Sequence, residues 1–241
     1  MLNEQGELSV KDLSKIFKVS EVSIRNDLTY LEKKGLLIRN HGGAIKNQSI
    51  NFDLNLTERI KRFHKEKNKI GKRASKLVKD NYKIIMDSGS TTIEVAKHLV
   101  DFNNLKIITN SLPIAYILGE NKNIEVIIPG GVLRGKMKSL KGSLVEKNIS
   151  MFNCDIAFIG VDSILPEKGI FTHSIEEASL SKHMIDIANK VVVVADSSKF
   201  NKNEFAKIEN FSSIDVLITD SGVTDEDRQK IETQGTKIIV V

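Results

Sequence analysis

Residues 83–99 read Lys-Ile-Ile-Met-Asp-Ser-Gly-Ser-Thr-Thr-Ile-Glu-Val-Ala-Lys-His-Leu. Lys83 to Met86 is a short apolar run of strand length. Ile93, Val95, Ala96 and Leu99 then suit one side of a helix. Between them lies a small, hydroxyl-rich turn: Asp87, Ser88, Gly89, Ser90, Thr91 and Thr92. A turn that feeds a helix N-terminus offers backbone N–H groups without intrahelical partners and the positive end of the helix dipole. Those are the requirements for holding a phosphate. Gly89 lets an anion come close to the backbone, where a side chain would stand in the way. The plainer reading is helix capping, but one Ser or Thr suffices for a cap. Four hydroxyl residues in six positions favour anion binding.

Downstream, similar apolar runs recur at 105–109, 124–128, 156–159, 191–195, 216–219 and 237–241, with helical stretches between them. Continuous, β-branched runs of this kind imply an α/β domain with a mainly parallel, Rossmann-like sheet covered on both faces. Ligands of such sheets bind beyond the carboxyl ends of the strands. The residues found there are Asn110 and Ser111; Gly130, Gly131, Arg134 and Lys141; Gly160 and Asp162; Asp196 and Lys199. Carboxylates and amides recognise sugar hydroxyls, while Lys, Arg and helix N-termini recognise phosphate. The ligand this predicts is a small phosphorylated polyol. For any one of these residues ordinary turn chemistry is the alternative; their repetition at successive strand ends favours a site.

Upstream, Ser9 caps a helical pattern with Val10, Leu13, Ile16 and Phe17 on one face, and Asp12 stands three residues on. Ser20 caps a second helix, in which Val22, Ile24, Leu28, Leu31 and Tyr30 point inward and which Gly35 closes. The pair reads as a helix-turn-helix whose second helix offers Ser20, Glu21, Ser23, Arg25, Asn26 and Thr29 to a major groove. Leu36 to Ile38 follow as a short strand. Arg39, Asn40, His41, Gly42, Gly43 and Ala44 follow as a turn resembling a wing. An ordinary helical pair is the alternative. Charge does not choose between them, because residues 1–46 hold eight Lys/Arg against six Asp/Glu.

The boundaries follow: residues 1–46 as a winged helix-turn-helix, 47–56 as a polar linker, and 57–241 as the α/β domain. Thr57 is expected to cap a long helix. From Glu58 to Lys79 that stretch carries ten Lys/Arg and two acids, which reads as a solvated basic face. Extra phosphate contacts are the sharper alternative.

Composition sets outer limits. Lys and Arg exceed Asp and Glu by 36 − 31 = 5, and the pI is about 9.1, a mild basic bias compatible with nucleic acid. Cys154 is the single cysteine, so no intramolecular disulfide forms, and it reads as a small buried hydrophobe. Met1 to Gln5 lack the basic start of a secretion signal, and no apolar run is long enough to span a membrane. A cytoplasmic location is therefore expected. His173 and His183 have no cysteine beside them, so no metal site is expected, and with neither a Walker loop nor a G-x-G-x-x-G in the sequence no cofactor is expected.

Val19 to Leu28, followed by Leu31 to Ala44, resembles the winged helix of the DeoR family of bacterial repressors of sugar catabolism. Asn26 stands where the family usually has a second arginine, and Asn favours adenine where Arg favours guanine. The family also places a full helix ahead of Gly6 to Val10, of which only Met1 to Gln5 remain here. The resemblance continues through Asp87 to Thr92, Thr109 to Ser111, Gly130-Gly131, Gly169 to Phe171, Glu177-Ala178, Lys182 and Asp196 to Phe200. It implies a sensor fold related to ribose-phosphate isomerase. It further implies that the hydroxyl turn holds an effector's phosphate, with Asp162, Glu177, Lys182 and Lys199 around its sugar. Lys182 and Lys199 as surface or ion-pairing residues are the alternative. The implied partners are double-stranded operator DNA, a phosphorylated sugar and further copies of the chain, as a dimer or tetramer. The competing function is an aldose–ketose phosphate isomerase or deaminase with an accessory DNA-binding domain, using Asp162 or Glu177 as base.

Overall fold

The computed structural model describes residues 7–33, 37–40, 42–45 and 55–241. They belong to two units, Met1–Leu54 and Asn55–Val241.

In the first unit, β1 (Glu7–Ser9) runs straight into α1 (Val10–Phe17), because Ser9 accepts the Asp12 N–H at 3.1 Å and caps the helix. Lys18 takes a left-handed conformation, φ 56°, and ends α1. Ser20 accepts the Ser23 N–H at 3.1 Å and opens α2 (Glu21–Lys33). β2 (Ile38–Asn40) and β3 (Gly43–Ile45) complete a three-stranded antiparallel sheet in the order β1-β3-β2. Val10, Leu13, Ile24, Leu28, Leu37 and Ala44 form its core.

Four residues read as inward are more than half exposed: Ile16, Phe17, Val22 and Tyr30. Helix geometry accounts for two of them. Ile24, Leu28 and Leu31 share a face, whereas Val22 and Tyr30 stand two residues from Ile24 and Leu28, about 200° around the axis. Arg39, Asn40, Gly43 and Ala44 lie in strands rather than in a turn. Gly35, Leu36, His41 and linker positions 47–54 fall outside the described residues.

The second unit starts with α3 (Leu56–Lys61) and α4 (His64–Ser75), two helices where one long helix was expected. Asn55, not Thr57, caps the first by accepting the Glu58 N–H at 3.0 Å. Arg62 is extended and Phe63 is left-handed, φ 51°. The buried Lys67 ammonium occupies the carbonyls at this break, donating to Arg59 O at 2.6 Å and Arg62 O at 2.7 Å. In an unbroken helix those oxygens would take the N–H groups four residues on.

The order then runs β4 (Lys83–Met86), α5 (Ser90–Lys97), β5 (Leu105–Thr109), α6 (Leu112–Gly119), β6 (Ile124–Ile127), β7 (Val132–Arg134), β8 (Ser139–Lys141), α7 (Ser143–Ile149) and β9 (Ile156–Gly160). It continues with β10 (Ser163–Leu165), β11 (Gly169–Thr172), α8 (Ile175–Asp186), β12 (Val191–Val194), β13 (Ala206–Glu209), β14 (Val216–Thr219), α9 (Asp225–Glu232) and β15 (Lys237–Val240). All seven expected strands enter one sheet, in the order β15-β14-β12-β9-β4-β5-β6, with every pairing parallel. Alternation along β4 sends Ile85 to one core and Ile84 and Met86 to the other. Cys154 is buried, as its setting suggested. The β7–β8 hairpin and the antiparallel sheet β10-β11-β13 had no sequence signal, being too short to show a period.

From β4 the chain steps outward through β5 to β6, then returns to lay β9 on the other side of β4. The carboxyl ends of β4 and β9 therefore flank the point where the winding reverses, which is where such sheets leave a crevice. Behind β4, α4 lies directly against α5 at Gly71, where an added Cβ would come within 2.6 Å of the Glu94 carbonyl group. Gly71→Ala should lower stability by about 1–3 kcal/mol through overpacking, despite alanine's better helix propensity. Urea denaturation of the two proteins checks this.

Candidate functional site

A crevice opens at the carboxyl ends of β4 and β9, and its wall is the loop from Asp87 to Gly89 with the first turn of α5. Gly89 is the N-cap of α5 and so supplies no capping side chain. Thr92 donates its hydroxyl to Gly89 O at 2.9 Å, behind the wall. Ser88 N–H donates to Asp87 Oδ1 at 2.6 Å. Burial pushes the Asp87 carboxyl up to about 7, against opposing help from the Ser88 N–H and Arg134. Asn110, at the end of β5, donates to Leu140 O at 3.1 Å, while its buried Oδ1 has no hydrogen-bond partner among the described residues.

Opposite stands a knot of charges. Asp162, just past β9, is paired with the Arg59 guanidinium from α3. Glu177, in the first turn of α8, is paired with Arg134 from β7. Thr172 Oγ1 lies 3.0 Å from Asp162 Oδ2 and 2.9 Å from Glu177 Oε2, and His173 Nδ1 lies 3.0 Å from each of the same two oxygens. Lys199 Nζ stands 3.6 Å from Asp162 Oδ1. Burial pushes the Asp162 carboxyl up, but Arg59, His173 and Lys199 outweigh it and hold the group well below the carboxylate range. Burial and the Arg59 charge lower the Lys199 ammonium. Lys141 pairs with Glu176 at 2.7 Å on the open side.

Asp162, His173 and Glu177 offer ligand atoms within 4.8 Å of one another, a grouping able to hold a metal ion. Both carboxylates already face arginines, which supply the positive charge such an ion would bring. The donor set therefore fits polar recognition better than metal binding.

Of the residues singled out from sequence, Asp87, Ser88, Gly89, Ser90, Thr91, Asn110, Arg134, Lys141, Gly160, Asp162, Glu177 and Lys199 line this crevice. Six do not. Lys182 points away and pairs with Glu209 at 2.7 Å on the surface. Ser111 caps α6, and Thr92 supports the loop from behind. Gly130 and Gly131 form a left-handed turn, where a Cβ on Gly131 would strike Val145. Asp196 is buried and caps the short turn Ser197–Lys199, which carries Lys199 to the site. Sequence reading missed Arg59, Thr172 and Glu176 as lining residues, and His173 as a partner of the two carboxylates. Arg59 lies 103 residues from its carboxylate partner, a separation no local pattern reports.

In the first unit, Ser20, Ser23, Arg25 and Asn26 are exposed along the start of α2. Arg25 is paired with Glu21 at 2.9 Å, an exposed pair one helical turn apart. Arg39 donates to Thr29 Oγ1 at 2.6 Å and so braces β2 against α2. Gly42 is exposed. Gly43 is buried beneath β1, where a Cβ would overlap Leu8 O, so close packing by itself requires glycine here.

Residues 62–221 match the family described as the DeoR C terminal sensor domain, and residues 1–50 match the DeoR-like helix-turn-helix domain. The chain is 34% identical over 238 residues to the HTH-type transcriptional regulator GolR of Listeria innocua, covering 99% of this chain and 94% of that protein. It is 33% identical over 241 residues to the transcriptional repressor AccR of Agrobacterium fabrum, covering 99% and 91%. Among solved structures, ribose 5-phosphate isomerase A of Methanocaldococcus jannaschii is similar over 56% of this chain and 53% of that one, with 22% identity and a TM-score of 0.40.

The raised Asp87 carboxyl has a consequence for stability. Between the unfolded value near 4 and about 7, the folded chain keeps a proton that the unfolded chain releases, so stability falls as pH rises through that window. Asp87→Asn removes this titration. Its melting temperature relative to the parent chain should therefore rise between about pH 4 and about pH 8. Thermal denaturation across that range measures the difference.

Proposed function

The chain belongs to the DeoR family of transcriptional regulators, and on that premise we propose that it represses a sugar-utilisation operon and is relieved by a phosphorylated sugar. One observation carries the effector half of this reading. The N-terminus of α5, which no side chain caps, faces buried carboxylates and cations across a crevice at the reversal of the sheet. An anion suits the amide end, where backbone N–H groups and the helix dipole converge. Sugar hydroxyls suit the far end, where Asp162, Glu177 and Asn110 offer acceptors and Arg134 and Lys199 offer donors.

The DNA half rests on α2. Arg25 and Asn26 project from its exposed face near the N-terminus, the part of a recognition helix that reaches base edges. Contacts to phosphates supply much of the affinity of such proteins, and a few side chains supply the discrimination. Regulators of this design read repeated half-sites as symmetric oligomers, so at least a dimer is expected, joined through the sensor unit. The isomerase reading has less support, because GolR and AccR are named as regulators and not as isomerases.

Two measurements test the proposal. In a thermal-shift series, a sugar phosphate should stabilise the chain by RT ln(1 + [L]/Kd), about 2.7 kcal/mol at a hundredfold excess over Kd. The unphosphorylated parent sugar should not. Equal stabilisation by both would remove the anion-binding loop from the account. Separately, Arg25→Ala should weaken binding to a selected operator fragment by about 1–3 kcal/mol per contacted base pair, with sugar-phosphate binding unchanged. An undiminished gel shift would show that α2 is not the reading helix.

A further inference from the structure

We infer that Arg59 is the residue through which filling of the pocket reaches the segment leading to the helix-turn-helix unit: a polyol phosphate takes Asp162 from Arg59, and α3 is thereby released. The inference rests on the reading of this crevice as a phosphosugar site.

Three observations support it. First, occupancy: the acceptors a sugar hydroxyl would use are already taken. Two arginines line the crevice, Arg59 and Arg134, each spent on a carboxylate, so a guest that bonds to Asp162 or Glu177 displaces one of them.

Second, consequence. Arg134 is also tied within its own hairpin, with Nε donating to Ser139 Oγ at 3.3 Å, so its displacement is absorbed locally. Arg59, which also donates to Met137 Sδ at 3.9 Å, sits on a helix of six residues whose Leu56 and Ile60 pack on the core. Leu56 is buried and its N–H donates to Lys136 O at 3.1 Å; Lys67 grips the carbonyls of Arg59 and Arg62 from behind. The backbone between α3 and α4 is not helical at Arg62 and Phe63, so the two helices are joined through Lys67 and not through a continuous helical ladder. The helix α3 is also the first described element after residues 46–54, which join it to the other unit.

Third, Asp162 keeps its position when Arg59 leaves, because Thr172, His173 and Lys199 still hold it. A carboxylate has about four acceptor sites, and the one Arg59 vacates is open to a sugar hydroxyl.

The test uses the full chain and amide hydrogen exchange of residues 55–63. The probes are glucose 6-phosphate, fructose 1-phosphate and ribose 5-phosphate, with inorganic phosphate as control. Any ester that raises the melting temperature should speed exchange in α3 by about 5- to 150-fold, the usual range of coupling between sites. Inorganic phosphate, which reaches only the amide end, should leave it unchanged. Arg59→Gln should show the faster rate without ligand, gain nothing further on adding the ester, and still be stabilised by it. Asp162→Asn, which breaks the same pair from the other side, should also exchange faster, and unchanged protection of β12 shows that both variants fold. An ester that stabilises the parent chain but leaves α3 exchange unchanged overturns the inference and spares the effector reading. So does slow exchange in both variants, or acceleration by inorganic phosphate alone. If no ester stabilises the parent chain, the effector reading fails and the inference fails with it.

Discussion

A parallel sheet whose chain winds first one way and then the other sends the connections after two neighbouring strands to opposite faces, and a crevice is left beyond their carboxyl ends. Here those strands are β4 and β9, and the charged cluster of the second unit gathers beyond them. The loop after β4 ends in a helix N-terminus, and the loop after β9 ends in Asp162. Because the backbone polar groups within each strand are spent on the sheet, only the strand ends have donors and acceptors to spare. The site is thus a by-product of topology, which side chains then specialise.

That specialisation is electrostatic. Burying Asp162 and Glu177 is tolerable only because Arg59, Arg134, Lys199 and His173 come with them. These partners arrive from far apart in sequence: α3, the β7–β8 hairpin, and the turns before α8 and after β12. A cluster gathered from so many elements makes the pocket sensitive to the position of each. The helix α3 is held at both ends, by Leu56 in the core and by Lys67 on its last carbonyls, with the Arg59–Asp162 pair between them.

How much of this could be read from the residues alone depended on the range of the interaction. The seven sheet strands were legible because a strand buried on both faces must be apolar throughout, and β-branched runs such as Val191–Val194 announce that. The loop after β4 was legible because a strand, a small polar turn and a helix follow within one short stretch. Arg59 was not, since nothing local distinguishes it from the other cations of a basic helix. The break at Phe63 was hidden for the same reason: it is stabilised by Lys67 reaching back to carbonyls, which no propensity scale registers. Lys182 erred in the opposite direction. It was carried in by resemblance, and its side chain went to Glu209 on the surface. Gly43 was read as a groove contact, and the close approach of Leu8, which local sequence does not show, requires glycine there.

Thr172 and His173 face the same pair of carboxylate oxygens at nearly equal distances. A hydroxyl carries one hydrogen, and so does Nδ1 when it is the protonated nitrogen. Two hydrogens and two acceptors can be matched in two ways, hydroxyl to aspartate and ring to glutamate, or the reverse. With Nδ1 protonated, distance alone does not choose between them, and a rotation of the Thr172 hydroxyl changes which acid it serves.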